Sequence, residues 1–233
     1  REMCNYYLNY DFSIVLTLLL CLYGIIGTFV SERETQMDML LLVSPNGGRK
    51  TALAKILAAT LFLLLTSLWF SFLDLIGFAA SFQTFEGLAL PVFAIPNFAE
   101  VSVNLSIFQY VLLSAALKCA GTWVIGMLWL LVSMFWKNAL LPFVINFALC
   151  MVLIVSGAAC AYSNFFWTKV LNPYSLLTNR VLLGKTEFVN LGGFPVLTWQ
   201  AATWFALIAG LAIVVAIYFL SAENCHRCVR RAK

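Results

Sequence analysis

The chain has 233 residues, of which 63% are hydrophobic and only 10% charged, with a net charge of +4. Soluble domains are about 45–50% apolar and about 25% charged, so composition excludes a globule solvated by water. The aromatic content of 15%, with seven Trp, suits a protein that anchors at two membrane–water interfaces.

A bilayer core needs roughly 20 apolar residues per helix. Five stretches meet that length, at residues 12–30, 52–78, 107–135, 140–161 and 199–220. They predict an all-α, polytopic transmembrane bundle that forms one domain over 1–233. The first span is followed by the most polar connection of the chain, residues 31–50. The second carries Asp74 near one end, and the third carries Lys118 about a dozen residues inside it. Charges at such depth are costly and often functional. Lys118 therefore reads as facing a substrate path or as pairing with an acid such as Asp74, while Asp74 by itself also fits an interface position. Asn104-Leu105-Ser106 matches a glycosylation acceptor, but it reads more simply as a helix N-cap before the third span. Lys137-Asn138 is a tight turn between the third and fourth spans. Residues 79–106 and 162–198, rich in Phe, Leu, Pro and Trp, read as short helices or hairpins at the opposite interface. Gly24, Gly27, Gly121 and Gly126 permit close helix approach.

Orientation follows from Lys and Arg in the connections. Nine (Arg33, Arg49, Lys50, Lys55, Lys137, Arg227, Arg230, Arg231, Lys233) fall on one side and four (Arg1, Lys169, Arg180, Lys185) on the other. The richer side is expected to be cytoplasmic, with the C-terminus there. An outside N-terminus without a signal segment would be explained by a preceding helix, which would make six spans.

The seven cysteines, odd in number and irregularly spaced, give no disulfide framework. Cys225-His226-Arg227-Cys228 falls short of the four ligands of a structural zinc site and reads as a basic tail. The chain has no Gly-Lys-Ser/Thr phosphate loop, no His-based nucleophile system and no two-His metal motif. No catalytic residue, cofactor site or metal site is expected, and no nucleic-acid partner.

The 31–50 connection reads SERETQMDMLLLVSPNGGRK. Ser31 with Glu34 has the spacing of a capping box. Acids at Glu32, Glu34 and Asp38 suit a first turn. Met37, Leu40, Leu41 and Ser44 share a face, and Ser44-Pro45-Asn46-Gly47-Gly48 is a stop signal. The prediction is a short amphipathic helix over 31–43. It either rests on headgroups or docks a cytoplasmic partner, and its acidic start favours the second, because a lipid anchor would be basic.

The run Phe29-Val30-Ser31-Glu32-Arg33-Glu34, then Met37-Asp38, Leu40-Leu41-Leu42, Ser44-Pro45-Asn46-Gly47-Gly48-Arg49 and Ala54-Lys55 resembles bacterial ATP-binding cassette (ABC) permeases of the type-2 exporter family. The Lys137-Asn138 turn and the Asn172-Pro173 segment before the last span are also similar. The resemblance covers the whole chain in topology and about 25 positions in residues. It departs from the family in lacking the first span and the N-terminal cytoplasmic helix. It implies a permease subunit in a bacterial plasma membrane that works as a homo- or heterodimer with cytoplasmic ABC ATPase subunits. ATP and Mg would be bound by those partners, and this chain would not be an enzyme. The cargo implied is a drug, an antimicrobial peptide or a lipid-linked molecule, moved outward. The 31–43 segment would be the coupling helix, with Glu32, Arg33, Glu34 and Asp38 making polar contacts to the ATPase and Met37, Leu40 and Leu41 packing.

Two rivals come from other classes. One is a non-transporting membrane scaffold or sensor. The other is an intramembrane enzyme, which would need convergent His, Asp or Glu at membrane depth, where the chain offers only Asp74 and Lys118.

Overall fold

Apolar runs without helix breakers have one stable form in lipid, the helix, because every backbone N–H and C=O must then be satisfied within its own segment. A computed structural model of the chain follows that rule. It describes residues 2–8, 10–35, 37, 49–82, 86–95, 98, 105–136, 138–162, 166–178, 182–184, 187–191 and 193–231. Among these, the α-helices are α1 (Glu2–Leu8), α2 (Phe12–Glu34), α3 (Arg49–Phe82), α4 (Ile107–Ser133), α5 (Leu140–Tyr162), α6 (Phe166–Leu171) and α7 (Thr198–Arg231). Five of them, α2, α3, α4, α5 and α7, are long and apolar enough to cross a membrane. This is the architecture of a multi-pass helical membrane protein, and each of the five predicted spans coincides with one helix.

The boundaries differ where polar residues extend a helix beyond its apolar run. α3 begins at Arg49 and ends at Phe82, and α7 continues to Arg231, through Cys225-His226-Arg227-Cys228. The most instructive difference is at Ser31. It does not cap a new helix, because α2 runs on through Glu34 and ends at Thr35. The Ser31 hydroxyl donates back to the Gly27 carbonyl at 2.6 Å, the i−4 bond of a serine inside a helix. The Thr35 hydroxyl does the same to Ser31 at 2.8 Å. Residues 31–34 are thus the last turn of the first span. Of the rest of the expected 31–43 helix, Met37 is helical, and residues 36 and 38–48, Asp38, Leu40 and Leu41 among them, lie outside the described residues.

α4 is the axis of the bundle. In its most apolar stretch 61% of the residues are buried, against 17% for α7 and 22% for α5, so those outer helices present their faces to lipid or to another chain. Ser106 caps α4. Its hydroxyl accepts the Gln109 N–H at 3.3 Å, and the Gln109 side chain accepts the Ser106 N–H at 3.2 Å, a reciprocal capping box. Close contacts on α4 depend on small residues. A Cβ at Gly126 would lie 2.4 Å from the Leu63 side chain, and one at Gly121 would lie 3.1 Å from the Pro173 carbonyl. Gly24 meets Phe62 in the same way, whereas Gly27 has nothing within 4 Å. Helix approach therefore accounts for three of the four glycines.

At the end of the bundle that holds the start of α7, the chain forms an antiparallel hairpin, β1 (Phe188–Leu191) and β2 (Phe194–Leu197), with Leu191 opposite Phe194. Gly193 turns it at φ 98°, a conformation that glycine adopts freely. The Asn190 side chain accepts the Gly193 N–H at 3.0 Å. Glu187 ties the hairpin down. Its carboxylate takes the Lys169 ammonium at 2.7 and 2.9 Å, and its carbonyl accepts the Thr198 N–H at 3.0 Å. Pro173–Leu176 is a short 3₁₀ turn held by Asn172, whose amide donates to Leu153 and Ser156 at 3.2 and 2.9 Å.

Candidate functional site

Two clusters gather the polar side chains that an apolar bundle holds at a cost, and they lie at different levels of the bundle. The first is where α2 ends, α3 begins and α4 turns into α5. Glu32 forms an ion pair with Lys55 on α3. The Lys55 ammonium also lies 4.4 Å over the Phe29 ring, a cation–π contact that holds the α3 side chain against α2. Arg33 donates to the carbonyl of Met134 and, at 3.1 Å, to that of Trp136. Glu34 accepts the backbone N–H of Ala139 at 2.8 Å.

Arg33 and Glu34 have one physical logic. The carbonyls of Met134 and Trp136 just past α4 and the Ala139 N–H just before α5 sit at helix ends, where backbone groups lack partners inside the helix and the negative and positive ends of the helix dipoles lie. The guanidinium meets the negative end and the carboxylate the positive end. Neighbours on a helix point about 100° apart, 3.6 residues making a turn, so one residue reaches each side of the 134–139 turn. Three of the four polar side chains expected to touch a partner are thus engaged within the chain, and the fourth, Asp38, lies outside the described residues. Met37, on the far side of Thr35, is 52% exposed.

The second cluster lies inside the bundle. Lys118 is 9% exposed on α4, eleven residues from the helix start at Ile107, or about 17 Å at the helical rise. Asp74 on α3 accepts a hydrogen bond from the Ser13 hydroxyl on α2. Asp74 and Asp11, the residue before α2, are the acids whose charges act on Lys118. The Asp74 carboxylate thus takes the Ser13 hydroxyl, and its charge, with that of Asp11, acts on Lys118. Beside the lysine is a cavity of about 10 Å³, the room for about one water, lined by Ser13, Thr17, Ser67, Ser71, Lys118 and Thr122 among others. The cluster lies between α2, α3 and α4 of one chain, with Leu177 from the segment after the 3₁₀ turn as part of its wall.

The hydroxyls were not singled out from sequence, yet a signal was there. Ser13 and Thr17 stand four apart in the first span, as do Lys118 and Thr122 in the third. Each threonine hydroxyl donates to the carbonyl four residues before it, at 2.8 Å in both cases. Their lone pairs remain available to a cavity that already holds an ammonium donor. Such a site suits water, and it suits a polar group small enough to replace water.

No group of three or more metal-ligating side chains occurs among the described residues. The class that fold and sites define is thus a multi-pass helical membrane protein with a polar junction at one end of the bundle and a buried charge cluster within it. No protein-family model matches the chain, and no curated protein matches it.

Proposed function

We propose that this chain is the membrane-spanning permease subunit of an ATP-driven transporter of the type-2 ABC exporter kind, working with a second permease chain and separate cytoplasmic ATPase subunits. The observation that carries the reading is the polar connection between the first two spans. It resembles the coupling segment of that family, and it leaves a helix end whose last turn is bonded to α3 and to the α4–α5 turn at once. A coupling element has to be joined to several spans if its movement is to reach them. Five apolar helices, two of them largely uncovered, also suit a subunit that pairs with another in the bilayer. The charge-rich end holding Arg33 and Lys55 is the cytoplasmic one in this reading, and the cargo is a drug, an antimicrobial peptide or a lipid-linked molecule moved outward.

Glu32, Arg33 and Glu34 then serve inside the permease, and contact with the ATPase falls to Met37 and to the residues up to Arg49. The test is purification of the chain together with an ATPase subunit from its native membrane, compared between the wild type and Met37→Glu combined with Asp38→Lys. Loss of the ATPase from the variant, with the permease still folded, supports the reading. An ATPase retained in full, or none bound by the wild type, removes it.

A further inference from the structure

We propose that Arg33 and Glu34 are positioning residues that fasten the α4–α5 connection to the end of α2, so that a displacement of the end of α2 carries α4 and α5 with it. This rests on the coupling reading above and adds the route by which movement spreads.

The geometry of the contacts is the argument. Arg33 reaches the carbonyls of Met134 and Trp136, just past the end of α4. Glu34 reaches the Ala139 N–H, one residue before α5 begins. The two contacts bracket the turn from both sides, more than 100 positions away in the chain. Each is a charge-assisted bond to backbone, and such bonds are shorter and stronger than neutral ones. Backbone partners matter here, because a side-chain partner can change rotamer and let go, whereas a carbonyl or an N–H moves only with the main chain. Charges that merely faced solvent would have no reason to meet the matching dipole end of two different helices. On the other side of the same turn, Glu32 and Lys55 fasten α3. The last turn of α2 is therefore the one place, among the described residues, where α3, α4 and α5 are all held by ionised side chains of one element.

The experiment uses the permease co-purified with its ATPase and reconstituted in vesicles of phosphatidylethanolamine and phosphatidylglycerol, with the native cysteines replaced. Spin labels are placed at Asn138 in the turn and, in a separate sample, at Met37 in the segment after Thr35. Each is paired with a label at Phe188, which is exposed at the other end of the bundle. ATP with vanadate is expected to shift both distances in the otherwise wild-type protein. In Arg33→Ala/Glu34→Ala the Met37 distance is expected to shift as before and the Asn138 distance to stay fixed. Arg33→Lys/Glu34→Gln keeps a donor and an acceptor, and is expected to restore the Asn138 shift at least in part. If the alanine pair does not fold, Glu34→Ala alone takes its place, with the Asn138 shift reduced to less than half. An Asn138 label that follows the Met37 label in full in the alanine variants overturns the proposal while leaving the coupling reading standing. A wild-type protein in which neither label moves with ATP overturns both.

Discussion

The Glu34 carboxylate accepts the backbone N–H of Ala139 at 2.8 Å, so the last residue of one membrane helix caps the start of another 105 positions along the chain. Caps of this kind are usually supplied from the residue just before the helix. A cap from a distant helix has the added effect of fixing the angle at which the chain enters α5. Replacing the capping group by Ala should lower stability by about 1 kcal/mol, the usual cost of a lost N-cap, and Glu34→Gln should recover most of it, since the amide oxygen still accepts. Equilibrium unfolding in mixed micelles checks the order wild type, Gln, Ala.

Charge order matters as well as charge. Exchanging the two residues, in Arg33→Glu/Glu34→Arg, would set a carboxylate against the carbonyl end of α4 and a guanidinium against the N–H end of α5. Both placements oppose the helix dipoles. The exchanged variant should therefore be less stable than Arg33→Ala/Glu34→Ala, although it has the same composition and net charge as the wild type. Equal stability of the two would mean that the residues contribute bulk rather than polarity.

The spans were legible because a run of twenty apolar residues has no other stable form in lipid. What happens at their ends was not. Ser31 and Glu34 have the spacing of a capping box, but a box requires the chain to leave helical geometry at its first residue. Nothing between Gly27 and Glu34 forces that departure, so the hydroxyl turns back to Gly27. The roles of Arg33 and Glu34 were hidden for a different reason: their partners are backbone groups of a turn that sequence alone cannot bring to them. Lys118 was visible as an isolated charge in an apolar helix. Asp11 and Ser13 stood unremarked, because polar residues at the mouth of a span look like ordinary interface chemistry until the neighbouring helices are in place.

The glycines give a contrasting pair. At Gly126 an added methyl would overlap the Leu63 side chain, which is fully buried. Gly126→Ala should destabilise by about 1–3 kcal/mol, the range for overpacking. Gly27 has nothing within 4 Å, so Gly27→Ala should be neutral or stabilising by up to about 1 kcal/mol through helix propensity. If Gly27→Ala proves as damaging as Gly126→Ala, then another chain covers that face of α2, and blue-native electrophoresis of the two variants would show the difference in assembly.

Alkaline pH should weaken the fold through Tyr7. Burial, with the Asp74 charge adding to it, raises its phenol from 10.0 to about 12. The folded chain then holds a proton that the unfolded chain has released, and stability falls with pH wherever that is so. The contribution is complete below about pH 10 and is lost progressively up to about pH 12. Tyr7→Phe should remove that part of the decline, and Asp74→Asn should start the phenol titration earlier, as read from tyrosinate absorbance in the purified protein.

The buried charges make the sharpest test of how the bundle interior is used. Lys118 lies buried between helices of one chain, where the charges of Asp74 and Asp11 act on it, and a role in balancing those acids can be tested by substitution. Removing one partner of a buried charge cluster leaves the others uncompensated, at a cost of about 3–5 kcal/mol. Lys118→Met should therefore be strongly destabilising. Adding Asp74→Asn should recover part of the loss, because it removes one of the two acids left behind; two independent substitutions would instead add. The same variants separate balance from transport. If the ammonium also meets cargo, the double variant regains stability but not ATP-dependent export. If charge balance is its whole role, export returns with the fold, and a stable Lys118→Leu chain that exports at the wild-type rate would show that no cargo group needs the lysine.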